Sequence, residues 1–108
     1  MDKDLSVYGT LNGKYALVYA EQDGEDVTSS LNAGVGTHIE LIIGYKFRFT
    51  KPDLEVKGVY DEEDGDLTLY VIGEDDGREY VIAEGKVEGG RISVFMEPMS
   101  TELIFEKC

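Results

Sequence analysis

The chain is poor in cysteine, histidine and basic residues, and each shortage excludes a class of function. Its 108 residues contain one cysteine, Cys108, so no internal disulfide can form and the fold does not depend on oxidation. The single histidine, His38, has no cysteine nearby in sequence and cannot form a zinc site or a catalytic triad by itself. We therefore expect no catalytic residue, no metal and no cofactor.

Basic residues are scarce relative to acidic ones. Ten Lys and Arg stand against 23 Asp and Glu, which gives a net charge of −13. This excess repels nucleic-acid phosphates and excludes nucleic acid as a partner. Basic proteins and cations are the partners that the charge favours.

Long apolar segments are also missing. The chain has no run of 18 apolar residues, and its first ten residues lack the apolar core of a signal peptide. The compartment stays open: cytoplasmic if Met1 is the native start, extracytoplasmic if a signal was removed. The length predicts one domain over residues 1–108, with residues 1–12 partly ordered and residues 6–8 forming a short edge strand.

Alternation of apolar and polar residues is the main structural signal in the sequence. Between His38 and Phe49 the large apolar side chains fall on odd positions, as in a strand with one buried face: Ile39, Leu41, Ile43, Tyr45, Phe47 and Phe49. The parity stays odd across Gly44, whereas a two-residue hairpin loop would reverse it. We predict a hairpin with an odd-length loop, such as residues 44–46.

Six further alternating or apolar segments are separated by turn signals, and this spacing is typical of a β-sandwich or barrel. Asp26 is placed to cap a short helix over residues 27–33, which Gly34 would end. The sequence thus predicts an all-β fold, an eight-stranded antiparallel up-and-down barrel with one short helix after the first strand. In this arrangement the acidic loops 23–26 and 74–77 share one end and the acidic loop 61–66 lies at the other, so that negative charge marks both ends.

The predicted inward residues are mostly large, which favours a filled interior over a deep cavity. Val81 and Leu54 are among them. A small hydrophobic ligand remains an alternative, and aromatic residues at a barrel mouth would bind it: Tyr19, Phe47 and Tyr60.

Two segments, 67–72 and 80–83, are apolar on both faces. Another part of the chain could cover their outer faces. Alternatively, those faces form an interaction patch, which could join two copies of the chain as a homodimer. The residues of this predicted patch are Tyr70, Ile72, Tyr80 and Ile82.

The acidic loops do not match a calcium-binding loop. Aligning Gly65 or Gly77 with the sixth position of an EF-hand places Tyr60 or Ile72 at the first position, where an acid is required. Solvated turns are favoured over weak Ca²⁺ binding. Glu84, between apolar neighbours, supports an enzyme only weakly, because no nucleophile–base pair accompanies it.

Several motifs resemble a known family. GKYALVYAEQDGEDVT at residues 13–28, IEL at 39–41, EGKVEGGRISV at 84–94 and the final TELIFEK resemble small lipocalin-like β-barrel domains of bacterial extracytoplasmic proteins and lipoproteins. The resemblance covers most of the chain, but its motifs are turns and alternating strands. It implies a non-enzymatic barrel of uncharacterised role in an extracytoplasmic location, and it assigns no functional residue.

Two functional hypotheses follow from the sequence. The first is a non-catalytic, lipocalin-like binding or interaction module. The second is an acidic inhibitor or nucleic-acid mimic that docks on a basic protein surface. The sequence names neither the ligand nor the partner.

Overall fold

A computed structural model describes residues 11–34 and 36–108 of the chain. The predicted edge strand at 6–8 lies outside these residues, as does most of the predicted N-terminal segment 1–12. Within the described residues there are nine strands, one four-residue α-helix (α1, Thr28–Leu31) and one 3-10 helix (Glu97–Met99). The strands are β1 Gly13–Gln22, β2 Glu25–Asp26, β3 His38–Ile42, β4 Lys46–Lys51, β5 Leu54–Glu63, β6 Asp66–Ile72, β7 Glu79–Glu88, β8 Arg91–Met96 and β9 Thr101–Lys107.

Eight of these strands form a closed antiparallel barrel. From β3 to β9 each strand pairs with the next, β1 pairs with β3, and β9 closes the barrel by pairing with β1. The short β2 adds to β1 outside this ring. The predicted eight-stranded up-and-down barrel with one short helix is confirmed.

The two ends of the barrel carry different loops. We call the end where β1 begins the lower end, and it holds the β3–β4, β5–β6 and β7–β8 turns. The upper end, where β1 stops, holds the Asp23–Gly24 turn, α1, the β4–β5 turn, the β6–β7 loop and the 3-10 helix. The acidic residues 23–26 and 74–77 therefore share the upper end, as the sequence predicts.

The β3–β4 hairpin has the predicted odd-length loop, shifted by one residue. Ile42 pairs with Lys46, so the loop is Ile43, Gly44 and Tyr45. The prediction that Ile43 and Tyr45 face inward is wrong, because both lie in this loop and are exposed.

Two β-bulges change which residues face the core. Val18 is an extra residue opposite β9, and Ile82 is an extra residue opposite β6. Each bulge reverses the alternation of the strand beyond it. Val81 is consequently exposed rather than inward, while Ala20 and Ile82 are buried.

The predicted acidic loop 61–66 is mostly strand. β5 runs to Glu63 and β6 begins at Asp66, so only Asp64 and Gly65 form the turn. Their φ angles are 52° and 89°, the positive pair that a two-residue type I′ turn requires.

Large side chains fill the interior of the barrel. Among the described residues, the largest that are fully buried include Tyr15, Phe47, Phe49 and Phe105. Phe49 and Phe105 meet edge to face with their ring centroids 6.5 Å apart. This packing agrees with the filled interior that the sequence favours.

The helix is shorter than predicted. It spans Thr28–Leu31 with Val27 at the N-cap, so the predicted capping by Asp26 is wrong; Asp26, one residue earlier, accepts the Thr28 N–H at 2.9 Å. Beyond the helix, the Asn32 side chain donates to the Leu17 carbonyl and accepts the Thr37 N–H, both at 3.0 Å. These two hydrogen bonds hold α1 over one side of the upper end, where Val27 and Leu31 pack on the core.

Replacing Asn32 by alanine should loosen this side of the upper end. The Leu17 carbonyl and the Thr37 amide would both lose their side-chain partner, at a cost of about 1–2 kcal/mol in the free energy of unfolding. Urea denaturation measures the change. Ser30→Ala, at an exposed position of the same helix, is the matched control and should be close to neutral.

Candidate interaction site

The structure does not bring the three predicted ligand residues together. Phe47 is 1% exposed and belongs to the core. Tyr60 is buried near the lower end, with its ring centroid 5.5 Å from that of Tyr45. Tyr19 lies near the upper end, where its hydroxyl donates to Glu21 at 2.9 Å. Binding of a ligand by any of them stays a prediction.

An apolar cleft of about 310 Å³ lies at the lower end. Its described lining residues include Asn12, Ile43, Tyr45 and Tyr60. Tyr45 has a φ of 59°, uncommon for a residue with a side chain, and its carbonyl accepts the Tyr60 N–H at 2.9 Å. The chain that precedes this cleft lies outside the described residues, so we base no function on the cleft.

At the upper end, β5 and β6 are no longer paired with each other. These strands pair from Val59 with Tyr70 to Glu63 with Asp66. Above this point, within the part of the chain that the structure describes, Leu54–Gly58 of β5 pairs only with β4, and Val71 and Ile72 of β6 pair only with β7. We call the gap between these two segments the β5–β6 opening.

Gly58 marks the point where the two strands separate. A Cβ atom added to Gly58 would lie 2.0 Å from the Tyr70 carbonyl oxygen and 2.7 Å from the Phe47 ring. β5 and β6 are therefore too close at Gly58 to admit a side chain, and only glycine fits. Toward the upper end from Gly58, β5 stays paired with β4 and β6 stays paired with β7. The opening lies between β5 and β6.

Apolar side chains on the inner face of the barrel remain accessible at the opening. Leu54 and Val56 of β5 share the inner face with the buried Tyr60, and Val71 and Tyr80 form an inward pair on β6 and β7. Leu54 is 48% exposed and Tyr80 47%, while Val56 and Val71 are half-buried. Their neighbours on the inner face, Phe49 opposite Val56 and Leu69 two residues before Val71, are fully buried.

The structure divides the predicted patch among different environments. Ile82 is buried by the β7 bulge, and Tyr80 points inward at the opening. Tyr70 and Ile72 lie on the outer face, with Ile72 47% exposed. Ile72, on the outer face, and Tyr80, on the inner face, both border the opening. The four residues of the predicted patch do not share one face of the sheet.

Acidic residues dominate the upper end, and basic ones there are few. Lys51 and Arg78 lie at this end, and Lys51 is held by Asp53 at 2.6 Å. At the lower end, Lys86 pairs with Asp66 and Arg91 with Glu106. Glu63, Asp64 and Glu88 also lie at the lower end, so negative charge marks both ends, as the sequence predicts. The acidic residues of the upper end are Glu21, Asp23, Glu25, Asp26, Asp53, Glu74, Asp75, Asp76, Glu79, Glu97 and Glu102.

Burial and hydrogen bonds shift the pKa values of ionisable groups beside the opening. Burial raises the pKa of Tyr70, with further contributions from its hydrogen bond to Asp61 and from the charges of Glu79 and Glu84. The hydrogen bond from the Tyr80 hydroxyl lowers the pKa of Asp76, whose carboxylate also accepts the Arg78 N–H. The same bond raises the pKa of Tyr80. The carboxylates around the opening thus concentrate negative charge beside an apolar surface.

The remaining candidate residues lie apart from one another. Glu84 is exposed on the outer face, opposite Phe95, and Cys108 is an exposed free thiol. His38 is half-buried, and burial, followed by the charge of Lys14, lowers its pKa. Across residues 11–34 and 36–108, no three His, Cys, Asp or Glu side chains converge as a metal site.

Comparisons with known proteins give no relative for this chain: no protein-family model, no curated protein and no solved structure matches it. Among the helices of the described segments, none is long and apolar enough to cross a membrane.

Proposed function

We propose that this protein is a non-catalytic interaction module whose upper end binds a basic partner protein. One observation carries the proposal: inward-facing apolar side chains stay half-exposed at the β5–β6 opening, on the end where acidic residues dominate. An apolar centre with a charged rim is the usual composition of a protein-binding surface.

The two parts of this surface have different roles. Leu54, Val56 and Val71 lose water when a partner covers them, which supplies affinity. The surrounding carboxylates attract a basic partner over distance and set its orientation. A partner with both basic and apolar side chains would contact the apolar residues and the carboxylates at once.

The rival hypotheses are weaker on this geometry. A small hydrophobic ligand inside the barrel would have to displace Phe47, Phe49 or Phe105, all fully buried. An acidic inhibitor that docks on a basic groove would use the same upper end and is a special case of the proposal. A lipocalin-like relationship, with the extracytoplasmic location it implies, is supported by the closed antiparallel barrel and by the resemblance of the turn motifs.

A cationic probe peptide tests the proposal. We expect an amidated heptapeptide of alternating Lys and Val to shift the NMR amide signals of residues around the opening. The same peptide with Glu in place of Lys should leave them unchanged. Raising NaCl from about 50 to about 500 mM should weaken binding at least tenfold, because the Debye length falls below the spacing of the charges.

Charge-reversal variants provide the matched control. Glu74→Lys with Glu79→Lys, at the upper end, should weaken binding about tenfold. Glu63→Lys with Glu88→Lys changes the net charge equally at the lower end and should have a much smaller effect. Equal weakening by both pairs would mean that net charge alone attracts the peptide, and the proposed site would be abandoned. Fatty-acid binding that shifts the signals of Phe47 and Phe105 would favour the rival lumen-binding function.

A further inference from the structure

We infer that the basic partner enters the β5–β6 opening as an extended strand and adds to the edge of β5 that no described strand pairs with, a mode that rests on the proposed function above. The inference goes beyond a charged surface, because it specifies the conformation of the partner and its backbone hydrogen bonds. Strand addition to an exposed sheet edge is an established way for a domain to bind a peptide.

The backbone of β5 is oriented for this mode. The Tyr60 N–H donates to the Tyr45 carbonyl, so Tyr60 directs its backbone groups toward β4. Backbone groups alternate in direction along a strand, which turns the even-numbered residues of β5 to β4 and the odd-numbered ones to β6. The N–H and C=O groups of Glu55 and Lys57 therefore point into the opening, where β6 has separated from β5.

The side chains around this edge fit an alternating partner. A strand lying along Leu54–Gly58 would place every second side chain over Leu54, Val56 and Val71, on the inner face. Its other side chains would point outward, beside Glu55 and Lys57 of β5 and on the same outer face as Glu79, so a basic side chain fits best next to Glu55. The matching sequence is a segment of about four to six residues in which apolar residues alternate with Lys or Arg.

A second copy of this chain is a poor occupant of the opening. Each copy carries a net charge of −13, and the upper end holds much of it, so two such ends repel each other. A basic segment instead gains from the same charge. The occupant is therefore a different, positively charged chain.

Backbone N-methylation of the probe peptide tests the strand mode directly. In an added strand only alternate peptide amides donate to β5, so methylating that set should weaken binding at least tenfold, while methylating the other set changes it less than about threefold. The amides of Glu55 and Lys57 should also gain protection from hydrogen exchange when the unmodified peptide binds. Equal effects of the two methylated peptides, with no added protection, would overturn strand addition and leave the basic-partner function standing.

Variants of the protein separate the strand inference from the function on which it rests. Leu54→Ser should weaken binding about tenfold, whereas Ile43→Ser, at an exposed position of the lower end, should not. Lys57→Pro removes an amide that faces the opening and spares the bonds to β4; it should bind more weakly while staying folded. If Lys57→Pro does not fold, hydrogen exchange at the Glu55 and Lys57 amides of the unchanged protein tests the strand mode instead. Absence of any peptide binding would reject both the function and the strand mode.

Discussion

Replacing Gly85 by alanine is expected to destabilise the barrel by about 3 kcal/mol or more. A Cβ atom on Gly85 would lie 1.9 Å from the Ser93 carbonyl oxygen and 2.6 Å from the Val94 Cα. Both are backbone atoms of β8, so no side-chain rotation can relieve the clash. The β7–β8 pairing must shift instead, and the shift reaches Val94 and Ile92 in the core.

Urea denaturation followed by circular dichroism measures this effect. Gly77→Ala is the control: a Cβ there meets no atom within 4 Å, and the only cost is its left-handed backbone, with a φ of 67°. That cost is about 1 kcal/mol. A Gly85→Ala protein as stable as Gly77→Ala would show that β7 and β8 are not as close as the structure places them.

Phe47→Ala is expected to cost about 3–5 kcal/mol, because the side chain is fully buried and its removal leaves a cavity beside Gly58. Domains of this size are stable by about 5–15 kcal/mol, so this one change would remove a large share of the stability. Phe47→Leu keeps most of the volume and should cost less, about 1 kcal/mol. Thermal unfolding of the two variants gives the comparison.

The same pair separates a core role for Phe47 from the predicted role in ligand binding. If Phe47 has a core role, Phe47→Leu leaves the cationic peptide bound as in the unchanged protein, since Phe47 is fully buried and presents no surface to the peptide. In a ligand-binding role, Phe47→Ala would reduce binding of a hydrophobic dye with little loss of stability. This second result would contradict the packing described above.

Much of the barrel follows from the sequence, because alternation and turn residues act locally. Alternation and turn residues predict strands at 79–88, 91–96 and 101–107 with a turn at Gly89–Gly90, and β7, β8 and β9 have these bounds. The bulges at Val18 and Ile82 could not be predicted in this way. Nothing in the local pattern distinguishes an extra residue from a regular one, since the bulge depends on the curvature that barrel closure imposes.

The candidate site was only partly predictable. Ile72 and Tyr80 were singled out for their apolar character, and both border the opening. Leu54 and Val56 were expected to be inward and covered, because the alternation shows which face a residue occupies but not whether the neighbouring strand stays beside it. The separation of β5 from β6 at Gly58 is a tertiary feature. An isolated glycine in a strand was its one local signal.

The pairing of β1 with β9 determines how late in synthesis the barrel can close. Tyr15 pairs with Lys107, so the first barrel strand must wait for the last one before the ring can close. During synthesis β1 exposes an unpaired edge for nearly the whole time that the ribosome is translating this domain. Contacts so distant along the chain also slow folding. We expect nascent chains that stop before β9 to depend on chaperones, and chains that include β9 to acquire protease resistance.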